Sequence, residues 1–422
     1  MLGRIARRER TRPAGPPRVL VVYPYLPHYR YGVFEELRGC GPVRYEFAAD
    51  VDAHNSGIPI IPADQMTPFH RLRNTWLRGA LWQAGLVRLL LTGRYDAVIF
   101  QGCAAFLSSW VGALVCRLRR TRVLYWTIGW HRPDQGWRRL TRLAFYRLAH
   151  GLLLYGQVGR RIGRAMGYPD HRMTVIGNSL RSSVEESTDE GPAGEGSAAG
   201  EGSAAAALAE LAALLPAPGA DAVAAVIRQN AYKRLDLLLQ AAARLAERGR
   251  PITVILAGGG PEHDNLRRLA NELGVDLRLL GPVYGERRLR LIYERARLTV
   301  VPKFAGLTAV QSLSYGRPVV TSDNEYEQMP ESECIRAGVT GGHYRDGSVD
   351  SLADVIADWL DRMRDGEQVI ADACREELRE RWSPQRHAAA IDAAVRRHLD
   401  PADRQPGQRD RTEAPAGQVL TG

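Results

Sequence analysis

Only two lysines, Lys233 and Lys303, stand in a chain whose other cationic side chains are arginines. A compact ammonium suits a point contact to a phosphate or sugar oxygen where a planar guanidinium would be too bulky. Lys303 lies inside the stretch with the most chemistry in it, residues 299–341, TVVPKFAGLTAVQSLSYGRPVVTSDNEYEQMPESECIRAGVTGG. An apolar run ending at Pro302 reads as a buried parallel strand. The small-residue turn Ala305-Gly306 leads into a short helix over 307–315, and a second apolar run, 319–321, follows a Gly-Arg-Pro break. A strand, a glycine turn and a helix N-terminus together offer open backbone N–H groups and partial positive charge at the crest of a sheet, which is a site for a phosphate. A second glycine turn, GGGPE at 258–262, lacks the Lys-Ser/Thr of a Walker loop and the full dinucleotide spacing, so it reads as a strand–helix turn.

The elements that must position these residues alternate. Apolar runs at 18–23, 43–48, 97–100, 123–126, 152–155 and 173–176 are separated by helical patterns, which predicts an α/β fold with a doubly wound parallel sheet. The spacing of Leu, Trp and Val over 76–91, with Arg on the other face, predicts a helix there. Residues 183–220 turn Gly/Ala/Ser/Glu-rich and read as a flexible linker whose Ala/Leu half can be helical. Alternation then resumes through 223–227, 253–257, 277–280 and 299–301. The division expected is a disordered basic tail at 1–17, a first domain at 18–182, the linker at 183–220 and a second domain at 221–384. A last helix at 385–399 crosses back to the first domain, ahead of a disordered tail at 400–422.

Composition narrows the class. No uninterrupted apolar run approaches bilayer-spanning length, and the basic N-terminus lacks the apolar segment of a signal peptide. Cytoplasmic residence is the expectation. The five cysteines are scattered in no metal-ligand spacing. Residues 1–182 hold 28 Arg against 10 Asp and Glu, so the first half is strongly basic and the remainder acidic. Such a half favours an anionic partner or an anionic membrane surface. Residues 137–147, with arginines among aromatics, fit a peripheral position at the inner membrane face as well as they fit a solvated amphipathic helix. No recognised nucleic-acid module is present, and no specific nucleic-acid partner is expected.

Four blocks of the second half resemble the retaining, nucleotide-sugar-dependent glycosyltransferases of family four (glycosyl transferases group 1). They are RQNAYKRLDLLLQAA at 228–242, ITVILAGGGPEHDNLRRLANELG at 252–274, GLTAVQSLSYGRPVV at 306–320, and Glu333 followed by Gly338 and Gly341. The first half matches more loosely, through PHYRYGVFEEL and through NSL at 178–180. The resemblance implies the GT-B fold, two Rossmann-like domains facing a cleft, with the donor held by the second. It implies transfer of a sugar from a nucleotide donor to an acceptor hydroxyl with retention, in polysaccharide, glycolipid or other glycoconjugate synthesis.

It also assigns roles. The donor diphosphate would lie against Arg228, Lys233 and the amides of Gly306, Leu307 and Thr308. The family's two glutamates, separated by seven residues, fall at Lys303 and Gln311, so the sugar and ribose contacts would come from these. Val283 would lie on the nucleobase side. His28 and His131 are the histidines near the cleft, and His131 is the candidate for acceptor-side catalysis. No cofactor and no metal are expected, because protein cations and amides neutralise the leaving diphosphate. Exchange of the two glutamates leaves a non-catalytic binding or scaffold protein on the same fold as an alternative; a sugar-nucleotide epimerase, which would need no acceptor, is another, though the Glu-rich catalytic set expected of one is not evident.

Overall fold

A computed structural model of the chain describes residues 15–52, 59–180 and 198–400. The basic tail before residue 15, the first half of the 183–220 segment and the tail after residue 400 lie outside the described residues.

The first half runs β1 (Arg18–Tyr25), α1 (Tyr31–Gly39), β2 (Arg44–Asp50), β3 (Phe69–Arg71), β4 (Arg73–Leu77), β5 (Ala80–Ala84) and α2 (Leu86–Thr92). It continues through β6 (Ala97–Gln101), α3 (Leu107–Leu118), β7 (Arg122–Thr127), α4 (Gly136–Leu148), β8 (Gly151–Leu154), α5 (Gln157–Ala165) and β9 (Met173–Val175). Seven of these strands form a sheet in the order β3-β2-β1-β6-β7-β8-β9, with every pairing parallel. Its strands are apolar on both faces because helices cover both. Phe34 and Leu37 of α1 pack on one side with Phe47 and Trp126, while Leu86, Ala113 and Phe145 of α2, α3 and α4 pack on the other with Phe100 and Tyr125.

The second half runs α6 (Ala198–Leu214), β10 (Ala222–Val226), α7 (Leu235–Glu247), β11 (Thr253–Ala257), α8 (His263–Leu273), β12 (Leu277–Gly281), α9 (Glu286–Arg295), β13 (Leu298–Val300), α10 (Leu307–Ser314), β14 (Val319–Ser322) and β15 (Gly341–Tyr344). It ends with α11 (Val349–Glu377) and α12 (Pro384–Leu399). The six strands lie in the order β12-β11-β10-β13-β14-β15, again all parallel. Chain order reverses between β10 and β13, and the crevice outside the carboxyl ends of strands at such a switch point is where open α/β sheets bind ligands.

Two sequence expectations change. Residues 76–91 are not one helix. Arg78 and Gly79 both take left-handed backbone (φ 48° and 81°), forming a two-residue turn that suits a hairpin. Trp76 then faces Leu81, and Asn74 faces Gln83. The inward amides of Asn74 and Gln83 hold the hairpin to the end of β1, donating to the Pro24 and Tyr23 carbonyls at 2.8 and 2.9 Å. The helix starts only after Gly85, itself left-handed at φ 92°. Within 183–220, Leu211 and Leu215 are buried against Ala224 and Ile255, so the Ala/Leu part packs on the second sheet. Burying a leucine fully is worth about 1.5–3 kcal/mol, enough to fix a short alanine-rich helix that would be marginal alone.

α11 runs through residue 377 with one break at Gly366 (φ −147°, ψ 36°). After it, α12 returns to the first sheet: Ile391 and Val395 join Leu37, Val43 and Tyr45, and the Tyr45 hydroxyl donates to Asp392 at 2.9 Å.

Candidate functional site

The switch point of the second sheet gathers three segments. The Thr308 hydroxyl donates to the Val226 carbonyl at 3.1 Å, tying the start of α10 to the end of β10. Lys233, from the loop after β10, donates to the Phe304 carbonyl at 2.6 Å. Phe304 holds a left-handed φ of 55°, and its N–H is fixed on the Glu327 carbonyl at 2.8 Å. The Ala305 N–H is fixed on the Gln328 side chain at 2.9 Å. The third segment, 325–334, thus shapes the turn ahead of α10 from below. The GGGPE turn supports the loop rather than facing the crevice: a Cβ at Gly258 or Gly260 would stand 2.1 or 2.2 Å from the Ile227 or Gln229 carbonyl oxygen.

Gly306 begins α10 with no side-chain cap, so the first-turn N–H groups of Gly306, Leu307 and Thr308 lack an intrahelical acceptor. A Cβ at Gly306 would meet Met329 Cγ at 3.3 Å and Glu331 Oε2 at 3.6 Å. Lys233 is half-buried beside this turn, and burial lowers its pKa to about 8, with the Glu331 carboxylate pulling the other way. Arg228 is exposed on the same loop. The structure therefore brings Lys233, Gly306, Leu307 and Thr308 together, with Arg228 at the rim.

The remaining sequence candidates are spread around this centre. Lys303 turns to the acidic side chains of Glu327 and Asp346, the latter at 3.2 Å, so its charge is already matched. Gln311 accepts from the Tyr293 hydroxyl at 3.2 Å, and Tyr293 stacks on Tyr315 at 4.6 Å. Val283 lies half-buried in the loop between β12 and α9. His28 is exposed beyond β1. His131, on the loop after β7, lines an interdomain crevice with Ile128, Trp130, Gln328, Met329 and Pro330. Burial and the nearby Arg142 hold its imidazole below the usual histidine range, while a hydrogen bond to the Gln328 backbone offsets part of this. Its neutral form prevails at pH 7.

A buried relay went unread in the sequence. Arg30 is enclosed by rings, 4.9 Å from the Trp126 centroid, and donates to the Tyr155 hydroxyl at 2.6 Å and to Asn178 Oδ1 at 3.1 Å. The Asn178 amide donates across the interface to Glu331 Oε1. Glu331 is 4% exposed, its other oxygen has no partner, and burial raises its pKa. That oxygen is the one beside Gly306. Glu333 also crosses, accepting from the Val158 N–H at 2.9 Å. Its carboxylate thereby caps the N-terminus of α5. Arg161 pairs with Glu325 nearby. The signal available in the sequence was the coincidence of PHYRYG, NSL and PESE, each short and none diagnostic alone. Among the described residues no group of three or more His, Cys, Asp or Glu side chains could hold a metal, and no helix is long and apolar enough to cross a membrane.

Comparison with known proteins adds to this geometry. Residues 213–382 match the family model for Glycosyl transferases group 1. The D-inositol 3-phosphate glycosyltransferase of Nocardia farcinica is 36% identical over 164 residues, which make up 35% of this chain and 35% of that protein. The chain thus spans about a third of the length of the curated relatives it matches. Among solved structures, Alr3699/HepE of Anabaena in complex with UDP superposes with a TM-score of 0.66 at 16% identity, over 90% of this chain and 99% of that one. A glycosyltransferase from Rickettsia africae superposes with a TM-score of 0.67 at 11% identity, over 91% and 98% of the two chains. At such identities these likenesses establish the fold: two parallel-sheet α/β domains in the GT-B arrangement.

Proposed function

Because its second half belongs to the Glycosyl transferases group 1 family, we propose that this protein is a retaining glycosyltransferase that moves a sugar from a nucleotide donor to an acceptor hydroxyl. The observation that carries the reading is the meeting of Lys233 with the uncapped start of α10 at the switch point of the second sheet. The donor diphosphate takes the N–H groups of Gly306, Leu307 and Thr308, with the Lys233 ammonium and the Arg228 guanidinium on its flank. Gln311 faces the ribose, Val283 the base, and Lys303 the rim on the sugar side. The bond from the anomeric carbon to the phosphate oxygen breaks as the acceptor oxygen bonds to that carbon on the same face. The acceptor's proton passes to the departing phosphate oxygen. Cations and backbone dipoles fixed beforehand around the phosphate supply the stabilisation where negative charge builds up. His131, neutral and at the crevice, positions the acceptor.

The first nucleotide to test is UDP, since the Anabaena protein was crystallised with it. The D-inositol 3-phosphate in the relatives' names does not carry over, because the matches cover only about a third of this chain and of each relative. The basic first half fits an anionic or lipid-linked acceptor, and with it a peripheral position at the inner face of a membrane. Calorimetric titration with UDP-, GDP- and ADP-sugars tests the reading: one should bind and hydrolyse slowly without acceptor, and the product anomer should match the donor's. Absence of binding to every nucleotide would leave a non-catalytic protein on the same fold.

A further inference from the structure

The outer face of the first domain carries apolar surface that the core does not use. The β4–β5 hairpin exposes Leu77 (71%) and Trp82, and Trp76 stands beside Phe106 at 6.0 Å between ring centroids. Leu81 of the hairpin donates its N–H to the Ala105 carbonyl at 3.0 Å, so the hairpin abuts the start of α3. Along α3, Leu107, Val111, Leu114 and Leu118 (86%) are all exposed at helical spacing, forming one outward stripe. Trp137 and Leu140 are exposed as well, on α4, a neighbour of α3. Exposed apolar surface running from the hairpin along α3 marks an interaction site.

The charge around it has one sign. Between residues 71 and 169 the chain has 17 arginines and two acidic residues, Asp96 and Asp134. Both acids are engaged: Asp96 accepts from the Arg18 N–H at 2.9 Å, and Asp134 pairs with Arg142 at 2.6 Å. Arg78 at the hairpin tip, Arg88 on α2 and Arg138 on α4 are exposed, and among the described residues none of the three pairs with an acidic side chain. A nucleic acid would match these arginines and leave the leucines in water. An apolar protein partner would match the leucines and leave the arginines uncompensated. A bilayer with anionic headgroups satisfies both at once, and indole rings with arginines at the boundary are suited to its interface.

We propose that this face docks on an anionic lipid bilayer, with the hairpin tip and the outer stripe of α3 entering the headgroup region and the surrounding arginines lying on lipid phosphates. The hairpin is tied to the carboxyl end of β1, so one end of the docked outer face lies next to the end of the sheet that borders the cleft. This deepens the transferase reading by naming the surface that presents the acceptor, and it rests on that reading only for its purpose.

The test is flotation of the full chain with vesicles of phosphatidylethanolamine containing phosphatidylglycerol, and with vesicles of phosphatidylcholine alone. The chain should float with the first and much less with the second, and added salt should weaken binding. Arg78→Ala and Arg88→Ala should each weaken it about fivefold, the contribution of one cation near an anionic surface. The double change Leu77→Ser with Leu118→Ser should weaken vesicle binding while the thermal midpoint and the nucleotide titration stay as in the parent. Equal binding to both vesicles, no binding at low salt, or unaltered binding by the leucine variant would overturn the proposal. A chain that floats and binds no nucleotide would overturn the transferase reading alone.

Discussion

Replacing Lys233 by methionine keeps the length and apolar stem of the side chain and removes its charge. In the free protein, burial brings the Lys233 pKa down to about 8. The ammonium is then about nine-tenths formed at pH 7 and about one-tenth formed at pH 9. A diphosphate arriving beside it selects the charged form. Donor affinity should therefore fall about tenfold between pH 7 and pH 9, with one proton taken up per donor bound at the upper end. A charge-assisted hydrogen bond contributes about 1.5–3 kcal/mol, so Lys233→Met should weaken binding at pH 7 by roughly 10- to 150-fold. It should also lose the alkaline decline. Lys233→Arg, charged throughout this range, should flatten the decline as well, whatever its affinity. The assay is calorimetry in buffers of different ionisation enthalpy, from which proton uptake is read directly; wild type minus variant removes any titration of the base. If Lys233→Met keeps both the affinity and the decline of the parent, the diphosphate does not lie beside Lys233.

Gly306→Ala places a methyl 3.3 Å from Met329 and 3.6 Å from Glu331; nucleotide affinity should drop about tenfold, in line with one displaced charge-assisted contact, with a thermal midpoint close to the parent's. Glu331 is a carboxyl whose pKa is raised in the folded state, so its contribution is most favourable below the ordinary glutamate range and is lost as pH rises through the folded value. Glu331→Gln should accordingly melt higher than the parent at pH 7 and level with it near pH 4; a gap that widens toward acid would contradict the sign. Tyr45→Phe removes the donor to buried Asp392, costing about 1–3 kcal/mol in urea unfolding, and should increase protease sensitivity at α12.

The parts of this molecule written locally were the parts the sequence disclosed. Most of the parallel strands are short apolar runs, β3 (FHR) and β15 (GGHY) being the exceptions, and Gly306 and the apolar run before it carry their geometry in neighbouring residues, so the strand, turn and helix leading into α10 were legible in the sequence. The hairpin was hidden because Trp82, Leu86, Leu89 and Leu90 fall at helical spacing and draw the preceding residues into the same reading. What decided between the readings was Arg78-Gly79 in left-handed backbone and two buried amides reaching β1, a contact outside the segment. Arg30, Asn178 and Glu331 were hidden more completely, since their meaning exists only when three loops about 150 residues apart in the chain meet.

That meeting has a consequence for how the two domains work together. One oxygen of Glu331 is held by Asn178 of the first domain, and the other faces the start of α10 without a partner. A buried carboxylate oxygen left unpaired is costly, and a ligand hydroxyl or a proton in that position relieves the cost. With the donor placed as proposed above, a ligand reaching that oxygen changes the charge that Asn178, and behind it Arg30, must balance. By linkage, the arrangement of the Arg30 loop must bear equally on donor affinity. Asn178→Ala isolates this coupling: it touches no donor atom in the arrangement above, yet it should change donor affinity and shift the pH at which Glu331 takes up its proton. A variant with parental donor affinity and a parental acid titration would show that the two domains close without exchanging this information.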